Sequence, residues 1–291
     1  MSASTNVGTP SVAAPRRGTA GMIRLAVGKL AVGIVAILLL VFILGPMVWM
    51  GLDAFARRWK SPSLLPQTWT MHWWHTVLGG TQLGHSLRLS FEFALVATLA
   101  SCVICLPAAY AFGRSTFLGR KTILLGLFAT NAFPKMGLFT SIATLFYAMH
   151  LMTTALGVII IQLLGTVVTM TWIPAAAFAA VSPSLIEAAR DAGGGPIRVF
   201  FQITMRLAAP GIIVAVILSF LACFDEAQGT YLVGSPKYVT MPTQMYSLVE
   251  NYPDQAAAVF ALVLTVPSVL LLLAVRRHVM GGHLAEGFQL K

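Results

Sequence analysis

Glu187–Pro210 reads EAARDAGGGPIRVFFQITMRLAAP, a polar, arginine-bearing stretch between two long apolar runs. Its middle is a run of glycines, Gly193 to Gly195, followed by Pro196. Glycine adopts the left-handed and turn conformations that stop a helix, and proline is preorganised for the first position of the next one. The stretch therefore predicts helix, tight turn, helix. Upstream, Ser182-Pro183 fits an N-cap and first helical residue, and Ser184 to Glu187 also fits a capping box. Beyond the turn, Phe200, Ile203 and Leu207 recur at helical spacing. An ordinary loop would carry charges only to solvate itself. Here Ala188 and Ala189 are small enough to admit another backbone, and Phe200, Phe201 and Ile203 are expected to form an exposed apolar face. Such a hairpin is expected where a soluble partner grips a membrane protein from one side.

The rest of the chain supplies that membrane protein. Of 291 residues, 57% are hydrophobic and 10% charged, with a mean hydropathy of +0.83. Soluble domains carry about 25% charged residues, so most of this chain cannot face water. Its apolar runs are continuous and near helix-spanning length, which excludes the alternating pattern of a transmembrane barrel. The fold class is all-α: a polytopic membrane protein with six transmembrane helices and a cytoplasmic helix-turn-helix segment. The net charge of +10 is scattered over loops, with no interleaved aromatic and basic face to hold nucleic acid. Cys102, Cys105 and Cys223 all lie in apolar segments, so no disulfide framework is expected; Cys102 and Cys105 read as a packed pair rather than a redox or zinc centre.

Each crossing needs about 20 apolar residues. The expected spans are Leu30–Leu52, Phe93–Gly113, Ile123–Met149, Ala155–Ala180, Leu207–Phe224 and Ala256–Val275. Residues 1–29 read as a disordered, basic N-terminus, 30–280 as the transmembrane domain with its hairpin at 182–206, and 281–291 as a tail. The first run is too long for a cleaved signal peptide and lacks a clear cleavage site, so it reads as an uncleaved anchor. Most of the 19 Lys and Arg residues fall in 1–29, 114–121, 181–206 and 276–291. The positive-inside rule then places both termini and the hairpin in the cytoplasm.

The loop 53–89 carries two weaker motifs. His72 and His75 are too few to make a metal site, and Trp73 and Trp74 between them are expected to anchor the segment at the bilayer surface. Gly79–Ser86 imitates a phosphate-binding loop, but His85 stands where lysine is needed and no strand precedes it. No metal or cofactor is expected. Polar residues within the spans are the default candidates for a translocation path: Asn131 and Lys135, then Asp225, Glu226, Gln228 and Tyr231. Either Lys135 neutralises one of the acids, or these groups line a route or gate.

The hairpin resembles the cytoplasmic signature of the permease subunits of binding-protein-dependent ABC importers: E-A-A, three residues, G, nine residues, then I-x-L-P. Glu187, Ala188, Ala189, Gly193 and Ile203 occupy the matching positions, Asp191 and Phe200 are frequent family choices, and Pro210 matches the following proline. Met205-Arg206 departs from the usual Leu-Pro and points to a longer second helix. The likeness continues through Tyr110–Arg114, Gly119–Lys121 and Asn131–Pro134. It implies a location in the bacterial inner membrane and several partners: two ATP-binding cassette ATPase subunits, a second permease subunit and an extracytoplasmic solute-binding protein. ATP hydrolysis is then expected in the partner, with the hairpin seated in its cleft. Glu187 would be the charge-assisted contact, Gly193 would set the turn, and Arg190 and Arg198 would be either contacts or topology determinants. FDEAQGTYLVG at 224–234 resembles spermidine/putrescine-type permeases, and the acids would suit an organic cation; the tail from Arg276 resembles carbohydrate permeases. The reading leans to a polyamine-like solute, with sugar or polyol as alternative. An ion-coupled secondary carrier would need more ionisable residues inside several spans, and an intramembrane enzyme a nucleophile-base pair or metal motif.

Overall fold

The computed structural model describes residues 19–60 and 62–279; residues 1–18 of the expected N-terminus and the expected tail 281–291 lie outside them. Among the described residues five helices are long and apolar enough to cross a membrane, or six if one bent pair counts as a single span. The chain divides into two compact bodies between Leu52 and Asp53. The first is built from α1 (Thr19–Asp53). That helix begins at Thr19 rather than Leu30, because Ala20, Met22, Leu25 and Ala26 are good helix formers that extend the run. From Leu30 to Trp49 its large apolar side chains are exposed, as in a helix that is apolar on every side.

The second body opens with a small antiparallel pair, β1 (Ala56–Arg58) and β2 (Thr68–Trp69), and continues through α2 (His72–Leu78) and α3 (Thr81–Arg114). Next come α4 (Arg120–Ala129), α5 (Lys135–Ala148) and α6 (Ala155–Ala180). The hairpin is α7 (Pro183–Asp191) and α8 (Pro196–Val199), which leads through a π-helical turn, Phe200–Thr204, into α9 (Met205–Phe224). Two short helices, α10 (Gln228–Gly234) and α11 (Met241–Asn251), precede α12 (Asp254–Val279).

Helices α3, α6 and α9 pack on one another as the core. Lipid tails are as apolar as leucine, so helices in a membrane associate through close packing of small residues and a few polar pairs. Both devices appear. A Cβ on Gly113 would fall 2.6 Å from the Ala175 carbonyl oxygen, and one on Gly211 2.6 Å from the Ala177 Cβ. The Thr166 hydroxyl donates to Ser101 Oγ at 2.9 Å between α6 and α3.

Two expectations require correction. The third span is not one helix: α4 runs into a 3-10 turn, Thr130–Ala132, and α5 leaves at 101° to it. Phe133, with φ −77° and ψ 139°, is extended as a residue before proline must be, and Pro134 starts the new helix. The tryptophans of α2 do not reach out as anchors. Both indole nitrogens are buried, Trp74 lies against Phe55 at 5.3 Å, and α2 packs on α12.

Candidate coupling hairpin and translocation residues

Pro183 occupies the first turn of α7, and the Ser182 and Ser184 hydroxyls pair at 2.7 Å in place of a side-chain cap. The helix ends in a Schellman turn: the Gly194 N–H donates to Ala189 O at 3.0 Å and the Gly193 N–H to Arg190 O at 2.9 Å. Gly193 sits at φ +84°, the left-handed region that glycine tolerates best. Gly194 is required for a different reason, since a Cβ there would lie 2.6 Å from Ala189 O and 2.9 Å from Val199 Cγ2. Gly195 then serves as the N-cap of α8 and Pro196 follows at its start.

The hairpin is fastened to the spans rather than hung from them. Ile186 and Val199 are buried with Phe112 of α3, Phe178 of α6 and Ile212 of α9. Arg114, at the end of α3, donates from Nη1 to the carbonyl of Val181 at 2.7 Å, where α6 ends and backbone acceptors are left without helical donors. Tyr110 of α3 stands edge-on to both Phe178 and Phe200, at 5.3 and 5.0 Å. Tyr110 and Arg114 were legible only as part of a family-like string, and Gly194 only as one glycine of three.

Exposure differs from expectation at two positions. Phe200 and Ile203 turn inward, Phe200 onto Tyr110 and Ile203 onto the core, because the π-helical turn directs them there. The exposed apolar face is formed instead by Leu185, Ile197 and Phe201. Ile197 and Phe201 border a shallow groove with Gly195, Pro196, Arg198 and Gln202. Glu187, Ala188, Asp191 and Gly193 are exposed and Ala189 is half-buried. Helix α8, the π-helical turn and α9 form one continuous 29-residue run, Pro196–Phe224, so Met205-Arg206 does accompany a longer helix.

At the other candidate site, the break between α9 and α10 gathers Asp225, Glu226, Gln228 and Tyr231. Glu226 caps α10: Oε1 accepts from the Gly229 N–H at 3.0 Å, and Oε2 from the Thr230 N–H and hydroxyl, both at 2.8 Å. Asp225 Oδ1 accepts from the Ser268 hydroxyl of α12 at 3.1 Å. Gln228 has a buried carbonyl oxygen without a partner, and Tyr231 stacks on Tyr246 of α11 at 5.6 Å. Asn131 lies in the 3-10 turn and Lys135 at the start of α5, both exposed. Lys135 does not neutralise either acid; among the described residues the ion pair formed is Arg88 with Glu92. No group of three or more His, Cys, Asp or Glu among the described residues could hold a metal.

The sequence model of the family described as "Binding-protein-dependent transport system inner membrane component" matches residues 9–280. The trehalose transport system permease protein SugB of Mycobacterium tuberculosis is 25% identical over 228 residues, 77% of this chain and 83% of its own. The maltodextrin transport system permease protein MdxG of Bacillus subtilis is 25% identical over 76% of this chain and 81% of its own. The diacetylchitobiose uptake system permease protein NgcG of Streptomyces coelicolor is 25% identical over 85% of this chain and 84% of its own. Among solved structures, a bacterial ABC transporter involved in import of the acidic polysaccharide alginate aligns with a TM-score of 0.62 at 17% identity, over 91% of this chain and 99% of that one. The methionine ABC transporter MetNI, in an inward-facing form, aligns with a TM-score of 0.55 at 16% identity, over 68% of this chain and 95% of that one. These structural likenesses establish the fold.

Proposed function

The chain belongs to the inner membrane components of binding-protein-dependent transport systems, and from that premise we propose that it forms part of the membrane path of an ATP-driven carbohydrate importer. The named permeases it resembles serve trehalose, maltodextrin and diacetylchitobiose. The polyamine-like reading gives way accordingly. It rested on the resemblance of residues 224–234 and on the acidic pair they contain, and each acid has a partner: Glu226 caps α10 and Asp225 accepts from Ser268. A neutral sugar needs no free acidic pair.

The coupling rests on one observation, a hairpin closed by a rigid turn and buried on its inner side against α3, α6 and α9. Its outer side offers Leu185, Ile197, Phe201 and the Glu187 carboxylate. In our reading this side faces the cytoplasm and fits a cleft on one of two ATPase subunits. A second permease completes the path, and an extracytoplasmic binding protein delivers the sugar. ATP closes the ATPase pair, and the hairpin carries that motion to the spans because its contacts differ between the two states. This chain itself performs no hydrolysis.

The test is uptake by proteoliposomes containing this permease with its ATPase, second permease and binding protein. ATP-dependent accumulation of labelled trehalose or a maltodextrin is expected. Accumulation of spermidine with no carbohydrate uptake would restore the polyamine reading, and uptake without the ATPase would overturn the coupling.

A further inference from the structure

Helix α3 is gripped at both ends, and only one of the two grips belongs to the hairpin. At that end a single stretch of α3 reaches both hairpin arms. Arg114 donates from Nη1 to Val181 O just ahead of α7, and the Tyr110 ring meets Phe200 on the return arm at 5.0 Å. Between them Phe112 is buried with Ile186 and Val199, one from each arm. Gly113 brings this stretch so close to α6 that a Cβ there would meet Ala175 O at 2.6 Å and Phe178 Cβ at 2.8 Å. At its opposite end α3 holds the start of α11. Ser90 Oγ accepts from the Met241 N–H at 2.8 Å, and the Ser86 hydroxyl donates to Gln244 Oε1 at 2.6 Å. Phe93 stands edge-on to Tyr238 at 5.3 Å, and Ser86, Ser90 and Met241 are all buried.

Ser90 and Arg114 lie about 36 Å apart along the axis, at about 1.5 Å per residue. Helix α3 is continuous between them, from Thr81 to Arg114, and runs on through Pro107. Such a helix resists compression because each turn is hydrogen-bonded to the next. The covalent links of the hairpin do not serve α11 in the same way. On the entry arm, Val181 and Ser182 leave the helical conformation, with ψ 120° and 130°, and form a joint between α6 and α7. On the return arm, the run Pro196–Phe224 leads to α10 and not to α11. We propose that α3 is the connecting rod that carries displacement of the hairpin to α11. Arg114 and Ser90 are its positioning residues, one at each end. This inference rests on the coupling reading of the hairpin. Tyr246 of α11 stacks on Tyr231 of α10 at 5.6 Å, so a rod that moves α11 changes that contact at the candidate path.

The experiment uses proteoliposomes holding this permease with its ATPase, second permease and binding protein, and reads sugar accumulated per ATP hydrolysed. Arg114→Gln and Ser90→Ala are each expected to lower that ratio at least about twofold. Arg114→Lys keeps a cation beside the last carbonyls of α6 and should recover most of the loss. The double variant decides. Sites this far apart ordinarily act additively in free energy, so two unrelated defects would multiply. Cutting one rod at both ends does no more than cutting it once, and the double variant is expected to match the weaker single variant. A double variant below that level overturns the proposal. So does an unchanged ratio in either single variant, even where its thermal midpoint falls, or an Arg114→Lys no better than Arg114→Gln. Should Arg114→Gln fail to assemble, Tyr110→Ala takes its place in the cycle. Wild-type transporter separates the two readings. Uptake there without ATP overturns hairpin coupling and the rod together, whereas ATP-driven uptake with multiplied losses overturns the rod alone.

Discussion

Gly193 and Gly194 are neighbours with different duties, and substitution separates them. Gly193 supplies a left-handed backbone with open space around its Cα, so the penalty for a side chain is conformational, about 1–2 kcal/mol. Asparagine visits that region more readily than other residues. Gly193→Asn is therefore expected to keep most sugar-stimulated ATPase activity, and Gly193→Val to lose it. Gly194 has ordinary dihedral freedom but no room, with the obstruction at 2.6 Å being backbone that cannot swing aside. Gly194→Ala should thus cost more than Gly193→Ala, the reverse of a ranking by φ alone; thermal unfolding and stimulated ATPase of the assembled complex measure both. Tyr110 offers a second residue-scale test. Its ring contacts with Phe178 and Phe200 are each worth about 0.5–1.5 kcal/mol and survive in phenylalanine. Tyr110→Phe is expected to leave sugar transported per ATP unchanged, whereas Tyr110→Ala lowers it by loosening the hairpin from α3.

Among elements, the return arm of the hairpin departs most from the pattern it resembles. Leu-Pro usually stands two and three residues past the apolar position held here by Ile203, and here Met205-Arg206 stands there within an unbroken run. Arg206→Pro would restore the familiar letter but remove a backbone hydrogen bond inside a helix, at about 3 kcal/mol. Lowered thermal stability and weakened ATPase stimulation are the expected outcomes; wild-type values would show that the helix can break there without penalty. The π-helical turn also explains what the sequence hid. Helical spacing placed Phe200, Ile203 and Leu207 on one helical run, yet a regular period cannot anticipate the shift that turns Phe200 and Ile203 inward and leaves Phe201 and Leu207 outside. The fourth span was legible to the residue, because Thr154 caps it and accepts from the Gly157 N–H at 3.0 Å. The third was not, since a hydropathy run carries no sign of a right-angle turn, and only Pro134 marked the place. The capped start of α10 was equally hidden: Glu226 read as a path residue until the fold put its carboxylate on the Gly229 and Thr230 N–H groups.

At the scale of the whole molecule, composition decided the class, while the acidic pair lent weight to a polyamine-like cargo that the named relatives do not favour. A chain with 10% charged residues can keep few of them idle in a membrane, so an acidic pair reads as a binding site unless tertiary partners are known. Those partners are a hydroxyl on α12, 43 residues away from Asp225, and the first turn of α10, whose N–H groups face Glu226 only once that helix has formed. Charge that is not held inside must act outside, and Glu187 is such a charge: exposed on the hairpin and without a resolved ion pair among the described residues. If it bonds a donor on the ATPase, its loss removes a charge-assisted hydrogen bond of about 1.5–3 kcal/mol, or roughly tenfold or more in coupling equilibrium. Glu187→Lys adds repulsion to that loss without touching any contact among the helices. Membrane abundance and co-purification of the second permease should therefore stay at wild-type levels, while sugar-stimulated ATPase falls at least about tenfold. Basal ATPase of the isolated partner is the internal control. Full stimulation in this variant would mean that the hairpin transmits force through its apolar face of Leu185, Ile197 and Phe201 alone, and Ile197→Asp would then become the decisive substitution.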